Sequence, residues 1–275
     1  IINRVTMPIG VLGIIYEARP NVTSDVSILS FKSGNSAILR GGKEALRSNI
    51  IISNLFRLSL KRNNINQDCI QLVNNTDRKI VDLMLSKMSD YIDIIIPRGG
   101  KSLVKKVLEL SKVPTIGHLE GLCHIYLDKQ YDYDTAEKLI INSKLRRTSI
   151  CGAAETLLIH KSVKKNDVYK ILQKLSIKGC KIIGDKKIQK IFESSILAKE
   201  SDWSTEYLDS IISVKIVNDL KEAVNHIKKY GTNHTECIIS KNKNNIKNFE
   251  KNISSSIVMT NASTQFADGY EFGLG

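Results

Sequence analysis

The sequence predicts an α/β protein, with a doubly wound parallel sheet followed by a second α/β unit. Three observations lead to this. Short apolar runs alternate with longer segments of helical spacing along the whole chain. The runs are almost continuously apolar, as strands buried on both faces are. Glycine turns follow several of them, where a strand gives way to a helix.

Residues 8–16 are nearly all apolar and end at a polar turn, which predicts the first buried strand. Helical spacing follows over 23–32, then a break at Ser33-Gly34-Asn35. Residues 36–40 form a second short strand and lead into the turn Gly41-Gly42. A long helical pattern covers 44–61, and 70–73 reads as a third strand. A helix over 76–88 has Thr76 or Asp77 as its N-cap. A fourth strand over 92–96 ends at Pro97-Arg98-Gly99-Gly100, and 101–111 is helical again. The second unit repeats the alternation. Its strands are expected at 123–127, 155–160, 214–217, 235–240 and 257–261, and its helices at 134–144, 166–177, 220–230 and 243–252. The expected division falls near Asp128–Asp132, into units over 1–128 and 129–265 with a further segment over 266–275.

Composition narrows the function classes. With 42% hydrophobic and 25% charged residues the chain has the balance of a globular protein, so disorder, collagen and a disulfide scaffold are excluded. Cys69, Cys123, Cys151, Cys180 and Cys237 form no CxxC pair. Their odd number argues against a disulfide framework and fits a reducing cytoplasm. His118, His124, His160, His226 and His234 lack ligand spacing, so no metal site is expected, and His226 reads as a surface residue of a helix. No apolar run approaches the ~20 residues of a membrane span, and no signal peptide is expected. The net charge of +13 is scattered in short clusters among acids and asparagines. A nucleic-acid binder more usually concentrates its charge and interleaves aromatics, so nucleic acid is not the expected partner. A positive field also suits an anionic substrate or cofactor.

Two kinds of site stand out. The turns Arg40-Gly41-Gly42-Lys43 and Pro97-Arg98-Gly99-Gly100-Lys101 join glycines to cations ahead of helices, an arrangement that suits a phosphate. They read equally as plain connections, and no GxGxxG is present. The loop Arg146-Arg147-Thr148-Ser149-Ile150-Cys151-Gly152 puts a cysteine beside two cations, which favours a thiolate nucleophile. Cys123 and Cys237 lie inside apolar strands and read as core, and Cys69 and Cys180 also look structural.

Several longer stretches carry a family resemblance. They are residues 8–22 and 32–45, Ile96-Pro-Arg-Gly-Gly-Lys101, Cys123-His-Ile-Tyr-Leu-Asp128, residues 146–156, Asp202-Trp-Ser-Thr-Glu-Tyr-Leu-Asp209, Gly231-Thr-Asn-His-Thr-Glu236 and Asn261-Ala-Ser-Thr264. Through them the chain resembles the gamma-glutamyl phosphate reductases of the aldehyde dehydrogenase superfamily. The resemblance implies an aldehyde dehydrogenase-like fold and a cytoplasmic enzyme of proline biosynthesis. Its reaction is the NADPH-dependent reduction of L-glutamate 5-phosphate to L-glutamate 5-semialdehyde. It implies Cys151 as nucleophile and thioester carrier, and Asn21 as oxyanion donor. Arg40, Lys43, Gly99, Gly100 and Glu206 are implied at the NADPH, with Arg40 and Lys43 suited to its 2′-phosphate. Arg147, Asn261 and Ser263 are implied at the substrate. Hydrolytic members of the superfamily carry a glutamate where His118 aligns, with Glu120 close by.

The departures are Gln265 and Tyr270, where the family usually has arginine and glycine. Gln265 is expected to lose charge pairing with an anionic substrate. The family also implies a homodimer, expected to be impaired here by segments absent at both ends. The rival expectation is a catalytically degenerate remnant of the same family.

Overall fold

The computed structural model describes residues 6–117 and 120–273, in two compact units, Ile1–Leu119 and Glu120–Gly275. The first is built from β1 (Val11–Tyr16), α1 (Pro20–Lys32), β2 (Ser36–Arg40), α2 (Leu46–Arg62), β3 (Ile70–Leu72), α3 (Arg78–Lys87), β4 (Ile94–Arg98) and α4 (Lys101–Leu110). Its sheet is parallel, in the order β3-β2-β1-β4. The chain steps outward from β1 to β3, then returns to the other side of β1. The strand order therefore reverses between β1 and β4, the place where doubly wound sheets bind ligands.

Alternate β1 side chains serve opposite layers. Leu12, Ile14 and Tyr16 join one core with Val22 and Leu60, and Ile15 joins the other with Met84, Leu85 and Val107. Burial on both faces is the reason that the strand reads as continuously apolar. The strand starts only at Val11 because Gly10 has φ +129°, and a Cβ there would lie 2.1 Å from the Asp93 carboxylate. Helix α1 begins at Pro20, ahead of the expected 23, because proline needs no N–H partner in the first turn. Pro97 sits in β4, an edge strand of this sheet, where a missing N–H is tolerated. Asp77, not Thr76, caps α3, accepting from Lys79 N–H at 2.9 Å.

The second unit contains β5 (Cys123–Leu127), α5 (Tyr133–Leu145), β6 (Ala154–His160), α6 (Lys165–Ile177), β7 (Lys181–Gly184), α7 (Lys186–Gln189), β8 (Ile196–Leu197), β9 (Ile211–Val217), α8 (Leu220–Tyr230), β10 (Thr235–Ile239), α9 (Lys243–Asn252) and β11 (Ile257–Thr260). Its parallel sheet runs β11-β10-β5-β6-β9-β7-β8. Two expectations are corrected. The unit boundary falls at 119/120 rather than 128, because β5 pairs with β10 and β6 of the second sheet. Strand β7 follows Cys180 directly in a stretch left unassigned by pattern, since three of its four residues are buried by packing rather than by alternation. Among the described residues no helix is long and apolar enough to cross a membrane.

His226 is not a surface residue. It is buried on α8, with its ring 5.7 Å from that of His124, 5.4 Å from Trp203 and 4.6 Å from Tyr230. Burial first, then the charges of His124, Lys215 and Lys229, push its pKa down to about 2. A histidine held neutral when folded takes up a proton on unfolding below its ordinary pKa of 6.5. Its contribution to stability is thus intact above that value and is lost as the pH falls through it. Denaturant midpoints at pH 7 and pH 5 should show a loss attributable to this residue of about 2 kcal/mol. His226→Leu should lose that much less over the same interval.

Candidate functional site

The carboxyl ends of β1 and β2, with α3 and α4, surround a cleft of about 540 Å³ in the first unit. Its lining includes Tyr16, Glu17, Arg40, Gly42, Lys43, Arg78 and Lys106. The turn after β2 is held from beneath by a buried polar chain. Tyr16 Oη meets Thr23 Oγ1 at 2.6 Å, and Thr23 Oγ1 donates to Asn49 Oδ1 at 2.9 Å. A Cβ on Gly41 would lie 2.2 Å from Asn49 Nδ2, so only glycine lets this turn close over the amide.

Arg40 and Lys43 play different parts. Arg40 is 7% exposed and donates to the carbonyls of Gly41 at 2.8 Å and Thr76 at 2.9 Å. Burial, and the nearby Arg78, hold its pKa below the ordinary value. It braces the rim, and its Nε remains buried without a hydrogen-bond partner. Lys43 is exposed at the mouth. Gly99 and Gly100 do not present an open cradle, because the Glu17 carboxylate accepts the Gly100 N–H at 2.9 Å at the start of α4. An anion at that helix end would have to displace it.

In the second unit, Cys151 is half-buried in the loop between α5 and β6. The loop is closed at its base by Lys144 and Glu155, whose Nζ and Oε2 lie 2.7 Å apart with both side chains essentially fully buried. Burial pushes the Glu155 carboxyl up to about 7 against the opposing pull of Lys144. Its other oxygen accepts the Leu208 N–H at 3.2 Å. The same segment carries Glu206, whose Oε1 accepts the Gly121 N–H at 2.9 Å. Gly121 lies against the cysteine, since a Cβ there would be 2.5 Å from both Cys151 Cβ and Cys151 O. Cys123 Sγ donates to that same carbonyl at 3.0 Å. Glu206, expected at the NADPH, here accepts from the backbone beside the thiol.

The expected substrate residues separate. Arg147 is exposed on the loop. Asn261, at φ +51°, uses its side chain to bracket Ser240, accepting from its N–H at 3.0 Å and donating to its carbonyl at 2.9 Å. Ser263 is fully buried and accepts from Gln265 N–H at 3.3 Å. The Ser263 hydroxyl is thus enclosed by the protein, and the Asn261 side chain is taken up by the Ser240 backbone. Asn21 lies in the first unit near the start of α1, exposed, and donates to Asp25 at 3.2 Å. His118 lies outside the described residues.

The chain is 47% identical over 274 residues to the gamma-glutamyl phosphate reductase of Parvibaculum lavamentivorans, a match covering 100% of this chain and 65% of that protein. The protein of the same name from Zymomonas mobilis also matches at 47%, with 64% of its length covered. A crystal structure of gamma-glutamyl phosphate reductase from Thermotoga maritima superposes with a TM-score of 0.95 at 42% identity, covering 97% of this chain and 64% of that one. The chain is similar to the gamma-glutamyl phosphate reductases in sequence and in fold. It spans 64–65% of the length of the two curated relatives. An acetylating aldehyde dehydrogenase from Geobacillus thermoglucosidasius, 20% identical, superposes with a TM-score of 0.70 over 96% of this chain and 67% of that one, so the fold is aldehyde dehydrogenase-like. No family model matches.

Arg78, Lys106, Gly121 and the Lys144–Glu155 pair carry no motif that marks them in the sequence. Arg78 and Lys106 reach the cleft from helices whose charges look like ordinary solvated ones. The pair carried one weak signal, oppositely charged residues flanking the cysteine loop at a strand and a helix end. Removing one buried partner leaves the other uncompensated. Lys144→Met should therefore lower unfolding free energy by about 3–5 kcal/mol. The double variant with Glu155→Leu should recover much of it, and urea titration of all three proteins gives the comparison.

Proposed function

We propose that this chain carries the cofactor and catalytic units of an NADPH-dependent reductase that converts L-glutamate 5-phosphate to L-glutamate 5-semialdehyde and phosphate, a step of proline biosynthesis. The observation that carries this reading is the cysteine loop. Cys151 sits half-buried on a loop pinned by a buried ion pair and packed against a glycine. The shared sequence with gamma-glutamyl phosphate reductases supports it.

Cys151 Sγ attacks the acyl carbon of the substrate. Its S–C bond forms as the C–O bond to phosphate breaks, which leaves a thioester. NADPH, when bound, would supply a hydride to the thioester carbon. The C–S bond would then break as the carbonyl re-forms from the alkoxide, giving the aldehyde and restoring the Cys151 thiolate. Phosphate is a good leaving group, so acylation needs little help from a general acid. Arg147 is assigned to the substrate's negative charge and Asn21 to the developing oxyanion.

The cleft of the first unit fits a phosphorylated dinucleotide. It has exposed Lys43, with Arg78 and Lys106, at the carboxyl ends of parallel strands. A Cβ on Gly42 would lie 3.3 Å from Ala18 N, so any larger residue would crowd the backbone at the cleft. Lys43 is assigned to the 2′-phosphate. Lys43→Glu should weaken NADPH binding about tenfold or more, the loss of one charge-assisted contact, and change NADH binding much less. Isothermal titration with both nucleotides gives the answer, and equal effects would remove Lys43 from the site.

The cysteines test the rest. Burial pushes the thiol of Cys180 up to about 12, that of Cys237 up to about 12, and that of Cys123 well above its ordinary value. These three are slow controls within the same chain. Brief iodoacetamide treatment followed by mass spectrometry should find Cys151 alkylated first, with NADP slowing it. Cys151→Ser should abolish NADP reduction by semialdehyde and phosphate while leaving NADP binding largely in place. If Cys151 reacts no faster than Cys69 or Cys180, the reading as a non-catalytic remnant stands instead.

A further inference from the structure

The turn at 263–265 touches the cysteine loop at both ends. Gln265 is 6% exposed, and its Nε2 donates to the Ser143 carbonyl at 2.9 Å and to the Arg147 carbonyl at 2.9 Å. The first of these belongs to the last turn of α5, where carbonyls have lost their helical partners. The second lies in the loop itself, four residues before Cys151. Beyond the cysteine, Gly152 packs on the same turn, since a Cβ there would lie 3.1 Å from Thr264 O. Two further contacts fasten the turn to α5. The Thr264 N–H donates to Ser143 Oγ at 3.2 Å, and the Ser143 and Ser263 hydroxyls lie 3.2 Å apart.

The amide has only one workable orientation. Two carbonyl oxygens face the end group, so the NH₂ must point at them, and both of its hydrogens are used. The carbonyl end, Oε1, is left buried with no hydrogen-bond partner. A buried acceptor without a partner calls for an explanation. Here the explanation is that the two donors hold the loop. A glutamate in the same place would set a carboxylate against two carbonyl oxygens. An arginine would offer donors to both carbonyls but would bring a full charge into a buried position.

We propose that Gln265 is a positioning residue that fixes the loop carrying Cys151, through its two hydrogen bonds to Ser143 and Arg147. This rests on the reading of Cys151 as the nucleophile. It turns the expected loss of charge pairing at 265 into a neutral clamp that acts on the protein's own backbone.

The test measures Cys151 directly, so it does not depend on turnover. Gln265→Met keeps the size of the side chain and removes both donors. Iodoacetamide labelling should then slow at Cys151 by about tenfold or more, since small misplacements at a reacting group are costly. Labelling of Cys69 and the NADP affinity should be unchanged. In turnover, kcat should fall by a similar factor with little change in KM. Gln265→Arg, which keeps two donors, should label at Cys151 within about threefold of the parent.

Gln265→Glu provides a second measurement if the Met variant does not fold. Its acid form can donate to one carbonyl and its ionised form to neither. The ratio of Cys151 to Cys69 labelling should therefore fall between pH 6 and pH 8, relative to the parent at each pH. A folded Met variant that labels at Cys151 within twofold of the parent overturns the clamp. So does a Glu variant whose ratio follows the parent across that range. A parent chain that labels fast at Cys151 but lacks turnover overturns the proposed reaction and leaves the clamp standing.

Discussion

The second unit's site depends on one buried ion pair. Lys144 lies in the last turn of α5 and Glu155 is the second residue of β6, and the loop with Cys151 lies between them. Taking two charges out of water costs several kcal/mol per ion, and their attraction roughly offsets that cost when other hydrogen bonds complete the shell. Such a bond adds little net stability, but it strongly disfavours any geometry in which the two groups are apart. Glu155 passes this constraint on. Its free oxygen holds the backbone at Leu208, a residue at φ +51°, and the segment before it delivers Glu206 to Gly121. Gly121 in turn leaves no room for Cys151 to move toward it. A displacement at the ion pair would reach the thiol along two routes, through the loop and through the glycine.

The first unit places its charges differently. Its cleft is rimmed by cations, yet the most buried of them, Arg40, is committed to backbone carbonyls. Lys43 and Arg78 are exposed at the rim, while Lys106 pairs with Asp82 at 2.6 Å. Glu17 stands at the α4 N-terminus and partly neutralises the helix end there. The cleft thus combines a frame of buried polar contacts with exposed charge at its rim.

Much of this was legible in the sequence. The strand and helix alternation follows from burial on both sheet faces, and β1 is apolar throughout and β5 apolar but for His124. The cysteine loop was legible because a polar, glycine-ended stretch with two arginines between a helix and a strand is unusual in this chain. Side-chain roles were less legible. Arg40 looks the same in sequence whether its guanidinium faces a phosphate or two carbonyls. Ser263 and Asn261 sit beside the site, but their partners, Ser143 and Ser240, are distant in the sequence. His226 occupies a helix with lysines on either side, and only the packing of Trp203 and His124 against it turns that face inward. The unit boundary was misplaced because β5 carries no mark of which sheet it joins.

The clamp at Gln265 also bears on the order in which the protein is made. The residue lies 118 positions after Arg147, the carbonyl it holds. At ribosomal speeds of roughly 5–20 residues per second, about 6–24 seconds separate the synthesis of the two ends. Strand β10, which pairs with β5, also arrives late. During that interval the cysteine is already present while the parts that hold its loop are not. The nascent chain therefore carries its thiol for many seconds before the surroundings that would make it selective exist, and the last part of the unit to be synthesised sets the geometry of a residue near its beginning.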